Sequence, residues 1–283
     1  MSEVFLNGQF MPAQAAQISV MDRGYLFGDG VYEVIPVYAG KAFLLAGHLA
    51  RLQRSLDGID LKNPLDNVSW QTLIQDLIAR NQGGDQAVYL QITRGSAPQR
   101  DHVFPPAVLP GIFMMSNPLK PIPEHWLKTG IDAITVPDIR WQRCDIKAIS
   151  LLANCLMKQQ AEAAGAQEAL LLRAGRLTEG AASNTYVFLD NVLITADTGP
   201  EILAGITREL VLQLAEEAGL KVSLRMATEA ELHRADEIWV SSSTKELIPV
   251  TKLDGKRVGS GSPGPVWQDL FQRFQNKKQE VQA

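Results

Sequence analysis

The sequence predicts a two-domain chain of mixed α/β (α+β) class, and three observations carry that. At 283 residues the chain is long enough to bury two cores. Runs with period 2 and runs with period 3.6 interleave along its whole length. Between them, Asn117-Pro118-Leu119-Lys120-Pro121-Ile122-Pro123 has three prolines and neither period, the signature of a linker. The expected layout is therefore an N-terminal α/β domain over 1–116, a linker over 117–123 and a C-terminal domain over 124–283.

In the first domain, Val4-Phe5-Leu6 and Gln9-Phe10-Met11 flank Asn7-Gly8 and read as a tight hairpin. The stretch Met21–Val34 has three glycines within seven residues, Gly24, Gly28 and Gly30. They mark a loop that turns sharply or approaches something closely, ahead of a strand over Val31–Val37. Leu45, Leu49, Leu52 and Leu56 form a helical stripe that Gly58 ends. Arg51 and Arg54 lie near the back of that stripe, where a solvated arginine is the plain expectation. A second helix starts near Ser69, with Trp70, Leu73, Ile74, Leu77 and Ile78 on one face. Ala87–Thr93 alternates as a strand. Residues 94–106 read as a loop, with Arg100 and His102 placed at i, i+2 so that both can face one anion.

The second domain opens with a strand at Ile131–Val136. A helix is expected from about Ser150 to Ala164, then a strand at Ala169–Arg173, a polar turn over Arg176–Asn184 and a strand at Thr185–Leu189. Asp190-Asn191 turns that strand into Val192–Thr195. Leu203-Ala204-Gly205-Ile206-Thr207-Arg208 opens a helix. Its glycine and threonine leave backbone N–H groups and a hydroxyl for a phosphate, or an ordinary N-cap threonine. Thr228–Glu231 is a capping box. A strand over Glu237–Ser241 runs into Ser241-Ser242-Ser243-Thr244, four hydroxyls that suit either a phosphate or side-chain turns.

Lys147 ends the polar run Asp138–Lys147 and enters the apolar Ala148-Ile149-Ser150-Leu151-Leu152. Burying an ammonium there is costly and favours the neutral amine, the form that attacks a carbonyl. A Schiff-base lysine is one reading and a lysine on an exposed loop the other. Composition excludes other classes. The net charge of −4 leaves no nucleic-acid or anionic-lipid footprint. No apolar run approaches a membrane span, and the four histidines lack metal-ligand spacing. No secretory leader is expected, and Cys144 and Cys155 fit reduced thiols in a cytoplasmic protein.

Four stretches in order resemble the fold-type IV pyridoxal-phosphate enzymes, and among them the D-amino-acid aminotransferases. They are Asp22-Arg23-Gly24-Tyr25 through Gly30-Val31-Tyr32-Glu33-Val34, Arg140-Trp141 through Cys144-Asp145-Ile146-Lys147, Thr178-Glu179-Gly180 through Ser183-Asn184, and Gly205-Ile206-Thr207-Arg208. The resemblance implies a small N-terminal α/β domain, a larger C-terminal domain with a β-barrel-like sheet, and pyridoxal 5′-phosphate between them. It implies that Lys147 is the Schiff-base lysine and that Glu179 pairs with the pyridine nitrogen. Arg51, Ile206, Thr207, Ser242, Ser243 and Thr244 are implied to hold the 5′-phosphate. Tyr32, Arg100 and His102 are implied to hold the substrate carboxylate, with the Arg100 loop reaching in from the other subunit of a homodimer. Arg140 and Glu33 would stand near the ring hydroxyl. The sequence departs from the pattern in the longer Pro98-Gln99-Arg100 spacing, and in Ala181-Ala182 where relatives carry serines.

The implied reaction moves an amino group from D-alanine or D-glutamate to a 2-oxo acid such as 2-oxoglutarate or pyruvate, in ping-pong half-reactions. The rivals within the fold are a branched-chain L-aminotransferase, an (R)-amine transaminase and an aminodeoxychorismate lyase. Arg100-x-His102 favours a substrate with an α-carboxylate. A non-catalytic binding protein on the same scaffold is the rival outside it, and an intact Lys147 and Glu179 argue against that.

Overall fold

The computed structural model describes residues 2–82 and 84–282. The chain divides into two units, one of Met1–Lys120 with Ile146–Leu151, the other of Pro121–Asp145 with Leu152–Glu280. The break at Lys120 falls inside the proline-rich run. Ile146–Leu151, expected with the C-terminal half, is built into the first unit.

The first unit contains β1 (Glu3–Leu6), β2 (Gln9–Pro12), α1 (Arg23–Phe27), β3 (Gly30–Tyr38), β4 (Lys41–Ala42), α2 (Leu45–Gly58), α3 (Asn67–Arg80), β5 (Gln86–Thr93) and β6 (Gly111–Pro118). Its six strands form one antiparallel sheet in the order β2-β1-β6-β5-β3-β4. Asn7 and Gly8 close the first hairpin with φ of 48° and 96°, as an Asn-Gly turn requires. The alternation of β3 and β5 decides which face is covered. Val31, Ile35, Val88, Leu90 and Ile92 meet Leu49, Leu52 and Leu56 of α2 and Trp70, Ile74, Leu77 and Ile78 of α3. The glycine-rich stretch is not all loop: Asp22 caps α1 by accepting from the Gly24 N–H at 2.8 Å. Gly28 ends that helix at φ 67°, and Ser150 donates to its carbonyl so closely that a Cβ would sit 2.5 Å from Ser150 Oγ. Residues 111–118 lack β-branched alternation, yet they form β6, paired on both sides.

The second unit contains α4 (Glu124–Thr129), β7 (Ile131–Pro137), α5 (Leu152–Ala163), β8 (Glu168–Arg173), β9 (Arg176–Gly180), β10 (Asn184–Leu189), β11 (Val192–Thr195), α6 (Ile206–Glu217), β12 (Lys221–Leu224), α7 (Glu229–Arg234), β13 (Glu237–Ser242), β14 (Glu246–Leu253), β15 (Lys256–Arg257) and α8 (Pro265–Gln282). A curled mixed sheet runs β12-β11-β10-β13-β14-β7-β8-β9, with β15 on β14. The pairs β11–β12, β14–β7 and β7–β8 are parallel. Leu170, Val187, Ile238, Val240, Ile248 and Val250 fill its core with Leu232 of α7, a helix opened by the expected capping box. On another face Met157 and Ala161 of α5 cover Val136, Ala169 and Leu171.

Two expectations are corrected here. The polar run Arg176–Asn184 is not a turn throughout. Arg176–Gly180 is strand β9, paired with β8, and only residues 181–183 turn, with Gly180 N donating to Ser183 O at 2.7 Å. The helix expected from Ser150 starts at Leu152, because Ile149 and Ser150 are bonded to Gly30 and Gly28 instead.

Candidate active site

Lys147 is held by its backbone. Its carbonyl accepts from Tyr32 N at 2.9 Å, its N–H donates to Ser55 Oγ at 3.1 Å, and Ile149 N donates to Gly30 O at 3.1 Å. Residues 147–149 thus extend the sheet along β3, at the end that the two-residue β4 does not reach. The amine lies 4.3 Å from the centre of the Tyr32 ring, which stacks on Tyr89 with centroids 5.7 Å apart. An aromatic face stabilises an ammonium that lies against it.

Glu33 follows Tyr32 and points to the opposite, helix-covered face. It is fully buried and accepts from Arg51 Nε at 2.8 Å, Arg51 Nη2 at 2.7 Å and His48 Nδ1 at 2.8 Å. Burial alone would raise the Glu33 pKa. The charge and hydrogen bonds of Arg51, with His48, outweigh it and hold the carboxyl at about 2. His48 is pushed below its ordinary value, by burial first and then by Arg51 and Lys147, against the pull of Glu33. The solvated arginine expected at 51 is therefore a correction: Arg51 is 3% exposed, while Arg54 is exposed. His48, Arg51 and Ser55 sit at i, i+3 and i+7 on α2, beside the leucine stripe. That polar stripe is the signal that marks His48 and Ser55, which reading by residue type passes over.

Arg100 and His102 are exposed on the loop between β5 and β6. They gather at Phe27: the Arg100 guanidinium is 4.8 Å from the ring centre, and the His102 ring centroid is 5.3 Å away.

In the second unit Glu179 lies near the end of β9, 6% exposed. One carboxylate oxygen is bonded by Arg140. The other accepts from Asn184 Nδ2 at 3.2 Å and Leu203 N at 3.1 Å. Arg140 is itself fixed by Asp138, through Nε at 2.9 Å and Nη2 at 2.8 Å. Burial works against the Asp138 anion, but the bond and charge of Arg140 hold its pKa below the ordinary value. Arg140 is raised in turn: burial opposes its charge, while Asp138 and Glu179 favour it.

Asn184 ties this carboxylate to α6. Its amide donates to Leu203 O at 2.8 Å, and it pairs with Ser241 across β10 and β13. Its Oδ1 comes so near Gly205 that a Cβ there would stand 1.9 Å away. Gly205 is the N-cap of α6 and no side chain caps the helix. Ile206 and Thr207 are its first residues. Ser242 ends β13, and Ser243 and Thr244 lie in the turn to β14, where Lys245 N donates to Ser242 Oγ at 3.3 Å. An uncapped helix start, hydroxyls on a neighbouring strand end and a fixed carboxylate are what a phosphorylated, nitrogen-containing ring requires.

The family model "Amino-transferase class IV" matches residues 30–253. A D-alanine aminotransferase of Bacillus licheniformis is 43% identical over 274 residues, covering 97% of this chain and 96% of that protein. Another from Staphylococcus epidermidis is 39% identical over 277 residues, 97% of each chain. Among solved structures, the branched-chain amino acid aminotransferase of Escherichia coli superposes with a TM-score of 0.90 at 26% identity, covering 97% of this chain and 94% of that one. The T.th. enzyme of that name, solved with pyridoxamine 5′-phosphate, gives 0.89 at 26% identity, covering 97% and 93%. With the match running through Glu33, Arg51, Lys147, Glu179 and Thr207, the chain belongs to the class IV aminotransferases.

Proposed function

We propose that this aminotransferase acts on D-amino acids such as D-alanine and D-glutamate, with 2-oxo acids as acceptors and pyridoxal 5′-phosphate as cofactor. The observation that carries the reading is the gathering of Arg100 and His102 at Phe27, two donors presented together as an α-carboxylate needs. The whole-chain identity of 43% to a D-alanine aminotransferase, against 26% to branched-chain enzymes, supports the same choice. A branched-chain L-amino acid is the second reading, favoured by the TM-score of 0.90.

Lys147 would hold the cofactor aldehyde, and Glu179 would pair with its ring nitrogen. Ile206, Thr207, Ser242, Ser243, Thr244 and Arg51 would take the phosphate. The cofactor, when bound, supplies an electron sink for the substrate α-carbon. The chain's part is to orient and to move protons. Tyr32 supports the Lys147 amine from one side, and that amine would take the α-proton as a general base and return it two atoms away, across the amino nitrogen, to the carbon that was the cofactor's aldehyde. Arg140, Asn184 and the Leu203 N–H keep Glu179 from turning. Arg100, His102 and Tyr32 would bind the carboxylate, the loop acting across a cytoplasmic homodimer. Tyr25, Val103 and Leu109, 70%, 73% and 88% exposed, are among the exposed large hydrophobic side chains available to a partner subunit.

The test is turnover of paired D- and L-amino acids with 2-oxoglutarate, in the wild type and in Arg100→Ala and His102→Ala. Each variant should lose roughly 30-fold or more in kcat/KM for D-alanine, because one donor to a buried anion contributes about 2–5 kcal/mol. Preference for L-leucine over D-alanine overturns the reading in favour of the second. Full activity of both variants removes the carboxylate role.

A further inference from the structure

Arg100 and His102 are exposed, but the backbone between them and β6 is gripped from below. Arg23 of α1 is 3% exposed. Its guanidinium donates to the main-chain carbonyls of Asp101, His102 (3.3 Å) and Val103 (3.4 Å). Its Nε is bonded to Asp29 Oδ2 at 2.8 Å, and the same oxygen accepts from Arg94 Nε at 2.8 Å. Arg94, 6% exposed, is anchored to the loop after α2 through Ile59 O at 2.6 Å and Asp60 O at 3.1 Å. Two buried guanidinium groups share one carboxylate, so among the described residues one positive charge is left without a formal partner. Carbonyl oxygens and an aromatic face compensate it. The three loop carbonyls take Arg23, and Phe104 lies over Arg94 with 3.5 Å from the charge centre to the ring centre.

The same short helix supplies the support for the side chains. Phe27 is four residues after Arg23, on the same helix face, with the Arg23 guanidinium 4.8 Å from its ring centre. That ring is the one Arg100 and His102 approach. α1 therefore fixes the main chain of residues 101–103 with one residue and the side chains of 100 and 102 with another.

We propose that Arg23, with Asp29, Arg94 and Phe27, is a positioning device that sets the orientation of Arg100 and His102 toward the substrate carboxylate. The proposal rests on the carboxylate role given to those two residues above. It adds that the loop's geometry, rather than its two donors alone, sets substrate affinity.

The experiment uses cofactor-loaded Arg23→Lys and Phe104→Ala. The lysine keeps the charge but loses the fork that spans several carbonyls. The half-exposed Phe104 is removable even if position 23 tolerates nothing but arginine. Amide hydrogen exchange of peptides spanning 99–105 should quicken in both, with exchange elsewhere in the first unit unchanged. KM for D-alanine should rise roughly tenfold with kcat nearly unchanged, as expected when a charge-assisted contact is weakened in ground and transition state alike. Unchanged exchange in both variants overturns the proposal, and so does faster exchange with KM unmoved. Arg100→Ala and His102→Ala, measured alongside, separate the two readings. If they too leave KM unmoved, the carboxylate role itself fails. If they raise KM while the Arg23 and Phe104 variants do not, only the positioning role fails.

Discussion

Replacing Glu33 by glutamine keeps the shape of a fully buried side chain and removes its charge. Three donors converge on that carboxylate, two from Arg51 and one from His48. Its folded pKa of about 2 lies below the ordinary 4.5. The unfolded chain therefore takes up the proton first, and the group's contribution is complete above about pH 5 and lost as pH falls toward 2. That difference corresponds to about 3 kcal/mol at neutral pH. Breaking a buried ion pair from one side costs about 3–5 kcal/mol, of the same order. Glu33→Gln should therefore lower the urea midpoint at pH 7 by the equivalent of about 3 kcal/mol, followed by circular dichroism. The pH series is the sharper test. In wild type, Glu33 alone should withdraw about 1 kcal/mol by pH 4 and about 2 kcal/mol by pH 3, and the variant should lack that portion of the acid slope. A variant with the wild-type midpoint and the wild-type slope would refute the account of Glu33 as a buried anion held by Arg51.

Two further outcomes are expected. Lys147→Ala should abolish the borohydride-reducible link to the cofactor and lower turnover by roughly 10²–10⁴-fold; recovery of reduced cofactor on a Lys158 peptide would contradict the assignment. Gly205→Ala introduces a Cβ that meets Asn184 Oδ1 at 1.9 Å; overpacking of about 1–3 kcal/mol should weaken cofactor binding roughly tenfold in a titration of the cofactor-free protein, and an unchanged dissociation constant would show that the helix start is not part of the phosphate cup.

Elements with a strong period were legible in the sequence. The leucine stripe of α2 ends at Gly58 as read, and the capping box at Thr228 opens α7. Elements defined by their neighbours were not. β6 has few β-branched residues and is a strand because β1 and β5 flank it. β9 looks like a turn by composition, yet Leu177 and Gly180 are buried against β8. α1 is hidden by its glycines, since the cap that starts it is Asp22 rather than any apolar repeat. The residues around Lys147 and Glu179 were legible as motifs. Their supports were less so, because His48, Ser55 and Asn184 act through contacts distant in sequence, such as the 92 positions separating Ser55 from Lys147.

The seating of residues 147–149 along β3 also bears on how the chain assembles. A ribosome that has released only the first 120 residues has produced every strand of the antiparallel sheet, yet the N–H of Tyr32 and the C=O of Gly30 still lack the partners that Lys147 and Ile149 bring. Such a nascent sheet carries a short open edge, the kind that recruits stray strands. The segment bearing Lys147 is what closes it. Completion of the first unit and installation of the lysine are thus one event, and a fragment cut at the proline-rich run would be left both without its amine and with an edge prone to association.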